Sequence, residues 1–341
     1  MDLILHIGTE KTGTTSIQQA LAASRDALAE RGILYPALLG TENHMEIAAA
    51  AMGPRANDSI QIQELARTGL DLPAYVDAVR ARLAAEIEAT GANTLLISNE
   101  HCHGRLDTPE SVQRLAQLLG APFRRVRVIV YLRRQDQMAV SLHSTRLKGG
   151  GTGAMLPQWG IVPQYYDPHG LMARYADVFG QAAITPRLYE RNRLAGGDVV
   201  RDFFQTAELG IDPPAMTKAN PSLSRAQARF LSLFNARVPL IVDRKVNPDR
   251  GPVVAAIIRV LPGPPARPAR AEAMRFQQQF DVVNRLARER FMPTLDRPTL
   301  FDDDFSAYPE AGDDDQPLTE EEFAAFAEAL WVYGRKAGAP R

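Results

Sequence analysis

Apolar residues alternate between two rhythms over roughly the first two hundred positions. Contiguous apolar runs at residues 3–7, 33–35, 94–98 and 126–132 have the length of buried strands, and the last, rich in β-branched residues, is the strongest in the chain. Between them the spacing becomes helical. Ile17, Ala20, Leu21, Ala27 and Leu28 mark one amphipathic segment, stopped by Gly32, and residues 75–88 and 113–119 mark two more. Residues 184–189 add a strand that Pro186 pushes toward a sheet edge. Strands alternating with helices predict an α/β fold, a central parallel sheet with helices on both faces. Beyond about residue 190 helical spacing dominates, at 198–209, 224–236, 271–291 and 320–335, and no second sheet is expected. Residues 261–270, rich in proline and arginine, read as a loop. The expected organisation is a single domain over 1–341, with an α/β core at 1–210 and a mainly helical extension at 211–341.

Composition narrows the class. The 341 residues are 45% hydrophobic and 23% charged, and 39 basic against 40 acidic side chains leave a net charge of -1, with no global pull toward nucleic acid or a membrane surface. No run approaches the length of a membrane span, and the N-terminus lacks a basic region followed by a cleavable apolar segment, so a cytoplasmic location is expected. The one cysteine, Cys102, has no intramolecular disulfide partner and is expected to be structural. Charge is uneven twice. Residues 121–150 hold seven basic side chains and one acid around the strongest strand, which suits an anion site; residues 301–322 hold ten acids and no base and read as a solvated loop.

The segment Gly8-Thr9-Glu10-Lys11-Thr12-Gly13-Thr14-Thr15-Ser16, between the first strand and its helix, carries the most chemistry. Glycines allow a sharp turn, the helix start offers unpaired N–H groups at a positive dipole end, and hydroxyls add donors, so the loop suits an oxyanion of phosphate type. It lacks the G-x-x-x-x-G-K-S/T order of a magnesium-dependent NTPase, because Lys11 precedes Gly13. From Lys11 onward it resembles the 5′-phosphosulfate loop, P-K-T/S-G-T-T-x, of sulfotransferases that use 3′-phosphoadenosine 5′-phosphosulfate (PAPS), with Glu10 where proline is usual.

That resemblance has a second part. The family holds the 3′-phosphate with an arginine at a strand end and a serine eight residues later, a spacing matched by Arg133 and Ser141; Arg134 and Gln135 depart from the usual asparagine and proline. The likeness spans about residues 1–210 and implies a fold related to nucleotide kinases, PAPS as donor and 3′,5′-phosphoadenosine as product. It implies that Lys11 stabilises the leaving phosphate, that Thr12, Gly13, Thr14, Thr15 and Ser16 bind the phosphosulfate, and that Arg133 and Ser141 bind the 3′-phosphate. The acceptor is expected to be a hydroxyl of a small molecule or glycan.

Two residues compete for the base that takes the acceptor's proton. His44 follows the second strand, in a region from which the family draws catalytic histidines or glutamates, and Glu100 follows the strand at 94–98; Glu42 is a weaker candidate. His101, Cys102 and His103 are metal-capable, but adjacent residues point to alternating sides, so no metal is expected. Trp159, Tyr165, Tyr166 and His169 are expected to pack, or else to stack on an acceptor. The rival readings are a P-loop kinase with a degenerate loop and a non-catalytic nucleotide-binding module.

Overall fold

The computed structural model describes residues 1–120, 122–215, 222–242, 245–313 and 316–337. The chain forms two compact units, one of Met1–Arg134, Val162–Lys218 and Phe280–Asp302, the other of Gln135–Ile161, Ala219–Gln279 and Asp303–Arg341. Each unit therefore draws on both the 1–210 and the 211–341 stretches.

The first unit is built on five strands, β1 (Asp2–His6), β2 (Ile33–Leu34), β3 (Thr94–Ser98), β4 (Val126–Leu132) and β5 (Ile184–Leu188), in the order β2-β3-β1-β4-β5. Every pairing is parallel, with Leu5 opposite Ile97 on one side and Val128 on the other. β5 lies at an edge, as its proline requires.

Because side chains alternate along a strand, the apolar runs feed two separate cores. Leu3, Leu5, Leu95, Ile97, Val128 and Val130 face helices Met45–Ala51, Leu72–Thr90, Pro109–Leu118 and Pro168–Phe179 through residues such as Ile47, Tyr75, Leu115 and Tyr175. Ile4, Leu96, Ile129 and Tyr131 face helices Thr14–Ala23 and Val199–Thr206 through Ile17, Leu21 and Phe203. The fold is thus α/β with a helix-covered parallel sheet, as the strand and helix rhythms predict. Helices Ser59–Thr68, Leu72–Thr90 and Pro168–Phe179 start at Asp58, Asp71 and Asp167, whose carboxylates accept from first-turn amides.

In the second unit, helices Gln135–Lys148, Arg225–Asn235, Arg250–Ile257 and Glu320–Ala337 pack around Leu147, Leu231, Val254, Ile257 and Phe326. Two expectations are corrected. A short antiparallel pair, β6 (Ile241–Val242) and β7 (Lys245–Val246), lies where no further sheet was expected. The helical segment at 271–291 is two helices, Arg270–Gln278 and Asp281–Phe291, broken at Gln279 and Phe280. Among the described residues no helix is long and apolar enough to cross a membrane.

Candidate functional site

Strands β1 and β4 lie side by side, but the chain visits β2 and β3 on one flank before returning to β4 on the other. Connections leaving β1 and β4 diverge, and the carboxyl ends of such strands open a crevice. The loop after β1 is pinned there. Thr9 donates both its amide and its hydroxyl to the Tyr131 carbonyl, each at 3.0 Å, and the Tyr131 amide donates to the Gly8 carbonyl at 2.7 Å. The Thr12 hydroxyl closes the turn onto the Thr9 carbonyl at 2.6 Å.

Gly13 then caps helix Thr14–Ala23 in the left-handed region, φ 79° and ψ 18°. A Cβ at this position would sit 2.7 Å from Val199 Cγ1, so glycine is required both by conformation and by space. No side chain caps this helix. The first-turn amides of Thr14, Thr15 and Ser16 precede the intrahelical ladder and lie at the positive end of the helix dipole.

Two cations border the loop. Lys11, itself at φ 68°, has its pKa lowered by burial and by Arg133, while Glu10 and Glu100 act in the opposite sense. Arg133 leaves the end of β4 and donates from Nη1 to the Lys11 carbonyl at 2.7 Å, with its guanidinium 5.4 Å from the centre of the Tyr189 ring. The arginine is thereby held against the loop after β1 by a bond to the backbone of that loop and by a cation–π contact.

Glu100, at the start of the short helix after β3, closes the third side. Its carboxylate accepts from Gln18 Nε2 at 2.6 Å and lies 3.9 Å from His101 Nε2, and its Cβ lies close to Gly8. Lys11, the loop from Thr12 to Ser16, Arg133 and Glu100 therefore gather in one crevice. Ser141 is in helix Gln135–Lys148 of the second unit, where its carbonyl accepts from the Thr145 hydroxyl.

The structure corrects the assignment of His44 as a base. Its ring is fully buried; Nδ1 accepts from the Ser98 amide at 3.1 Å and Nε2 lies 2.9 Å from the Pro36 carbonyl, so Nε2 carries the proton and both nitrogens are occupied. Burial pushes its pKa down to about 4. His44 instead fixes the end of β3, because its carbonyl also accepts from Asn99 Nδ2. Glu42 is exposed.

The remaining candidates are mostly packed. Cys102 is buried, with its thiol pushed up to about 12, and His103 is buried against Tyr165, its Nε2 on the Tyr165 carbonyl at 2.9 Å. His101 meets Arg105. Tyr166 stacks on Phe280, His169 lies against Phe291, and Trp159 lies against Phe276 within the second unit. Among the described residues no three His, Cys, Asp or Glu side chains are grouped to hold a metal.

Tyr165 differs from this aromatic set, since its hydroxyl hydrogen-bonds Glu10 of the loop after β1, and burial together with that carboxylate raises its pKa. Glu10, Gln18 and Tyr189 are residues of the candidate site that the sequence did not single out as functional, and Tyr165 was read there only as packing or stacking on an acceptor. Gln18 left a trace there: it is a polar residue beside Ile17 and Leu21 on the apolar stripe of its helix, and it is 3% exposed.

Comparison with known proteins gives distant matches. No protein-family model matches the chain. An uncharacterized protein of Archaeoglobus fulgidus is 24% identical over 195 residues, which are 53% of this chain and 50% of that protein, so the match spans about half the length of the relative. Among solved structures, a sulfotransferase from Alicyclobacillus acidocaldarius is similar at 16% identity and a TM-score of 0.42, over 72% of this chain and 96% of that one.

Proposed function

We propose that the chain is a sulfotransferase that moves a sulfuryl group from PAPS to a hydroxyl of a small molecule or glycan. The observation that carries this reading is the meeting of an uncapped helix N-terminus, Lys11 and Arg133 at the junction of β1 and β4. Such a junction offers oriented amides and two cations to a ligand with more than one anionic group. The amides from Thr12 to Ser16 and the hydroxyls of Thr14, Thr15 and Ser16 bind the 5′-phosphosulfate, and Arg133 binds the 3′-phosphate.

In the transfer, the acceptor oxygen bonds to sulfur in line with the departing oxygen. The sulfur–oxygen bond to the 5′-phosphate breaks, and its electron pair remains on 3′,5′-phosphoadenosine, where Lys11 stabilises it. Of the two carboxylates beside Lys11, Glu10 is engaged by the Tyr165 hydroxyl, and Glu100 takes the acceptor's proton.

The test is incubation with isotope-labelled PAPS and a panel of hydroxyl acceptors, read by mass spectrometry. Labelled sulfate ester together with released 3′,5′-phosphoadenosine is the expected result. Phosphoryl transfer from magnesium ATP with no transfer from PAPS supports the kinase reading instead. Tight 3′,5′-phosphoadenosine binding with no product across the panel supports a non-catalytic module.

A further inference from the structure

The second unit contains a cavity of about 360 Å³. One wall is a face of helix Arg225–Asn235, from which Arg225, Arg229 and Ser232 project at successive helical turns. The other walls include His143, Glu272 and Asp313.

The charged groups here differ in how they are occupied. Arg225 is ion-paired with Glu322. Glu272 accepts from the Ala269 amide at 3.3 Å through Oε2, and Asp313 from the Arg267 amide at 2.8 Å through Oδ2, each through one carboxylate oxygen. Arg229 has a buried Nε with no hydrogen-bond partner among the described residues. Arg229 lines the cavity without an ion pair among the described residues, so its guanidinium offers a cation to an anionic group of a ligand there.

The carboxylates decide what kind of anion. A bare sulfate or phosphate would face Glu272 and Asp313 as well as Arg229, and like charges would oppose it. A ligand carrying one acidic group and several hydroxyls satisfies both walls, its acid accepting from Arg229 and Ser232 and its hydroxyls donating to the two carboxylates. The volume lies within the range of small-ligand pockets, roughly 300–1,000 Å³. We propose that this cavity is a binding site for a small acidic sugar of the uronate type.

Titration calorimetry of the full chain with glucuronate, glucose and inorganic sulfate tests the assignment. Glucuronate is expected to bind at least about tenfold more tightly than either of the others, because each lacks one of the two matched groups. R229Q, first shown to be folded by circular dichroism, is expected to lose glucuronate binding about tenfold or more, and S232A to weaken it severalfold. The proposal is overturned if glucuronate does not bind at millimolar concentration, if sulfate or glucose binds equally well, or if R229Q binds like the wild type. It is also overturned if Lys11→Ala removes the binding, since the ligand would then sit at the phosphate loop.

Discussion

Replacing Gly13 by alanine places a methyl group where the loop after β1 has neither the conformation nor the room for one. A non-glycine residue at φ 79° costs about 1–2 kcal/mol. The new Cβ would lie 2.7 Å from Val199 Cγ1, and overpacking of this kind adds about 1–3 kcal/mol. Gly13→Ala is therefore expected to destabilise the protein by about 2–5 kcal/mol, read as a fall in the urea midpoint. Val199→Ala removes the atom that clashes, so the double variant should be more stable than the sum of the single effects by at least about 1 kcal/mol. Calorimetry on the same variants should show affinity for 3′,5′-phosphoadenosine falling with Gly13→Ala, because the first-turn amides move with the cap. A Gly13→Ala protein with the wild-type urea midpoint and wild-type nucleotide affinity would refute this account of the cap.

Four further outcomes are expected. Glu100→Gln should lower turnover by about 100-fold or more while leaving 3′,5′-phosphoadenosine affinity near wild type, a split that steady-state kinetics and calorimetry resolve. His44→Ala should act on stability, by about 1–3 kcal/mol in urea unfolding, because it leaves the Ser98 amide and the Pro36 carbonyl without their buried partner. Burial pushes His6, His44 and His103 down to about 3, about 4 and about 4, against an ordinary 6.5, so the unfolded chain binds more protons between those values. Their contribution to stability is complete above pH 6.5 and is lost as pH falls toward 4, at about 1.4 kcal/mol per pH unit for each histidine in that window; urea unfolding at pH 7, 6 and 5 checks it. Cys102, buried with its thiol pushed up to about 12, should resist thiol reagents until the protein unfolds, which mass spectrometry after timed labelling would show.

What the sequence disclosed follows from how each element is buried. β1, β3 and β4 are covered on both faces, so they leave uninterrupted apolar runs, and Thr94–Ser98 and Val126–Leu132 fall where those runs lie. Helix Pro168–Phe179 went unread although Asp167 and Pro168 form a cap and first-turn signal at its start. The break at Phe280 is silent in the pattern because the phenylalanine is itself buried and keeps the helical spacing. Lys11, Gly13 and Arg133 were legible as candidates because chemistry fixes their residue types and their places beside strands, and the structure brings them together. His44 misled because position after a strand does not reveal burial; the alanine-rich run from Ile47 to Ala51 that follows it marks a helix packed into the core, and that is where its ring is sealed. Tyr165 and Glu10 meet across a separation that no local pattern records.

The central claim, that the junction of β1 and β4 holds a 3′-phosphorylated adenosine nucleotide, is tested most directly by titrating 3′,5′-phosphoadenosine and ADP into the wild type, Lys11→Ala and Arg133→Ala proteins. The account predicts that the wild type prefers 3′,5′-phosphoadenosine by at least about tenfold and that Arg133→Ala abolishes this preference, while Lys11→Ala retains it. An Arg133→Ala protein that still distinguishes the two nucleotides as the wild type does, or a wild type that binds both equally, would contradict it.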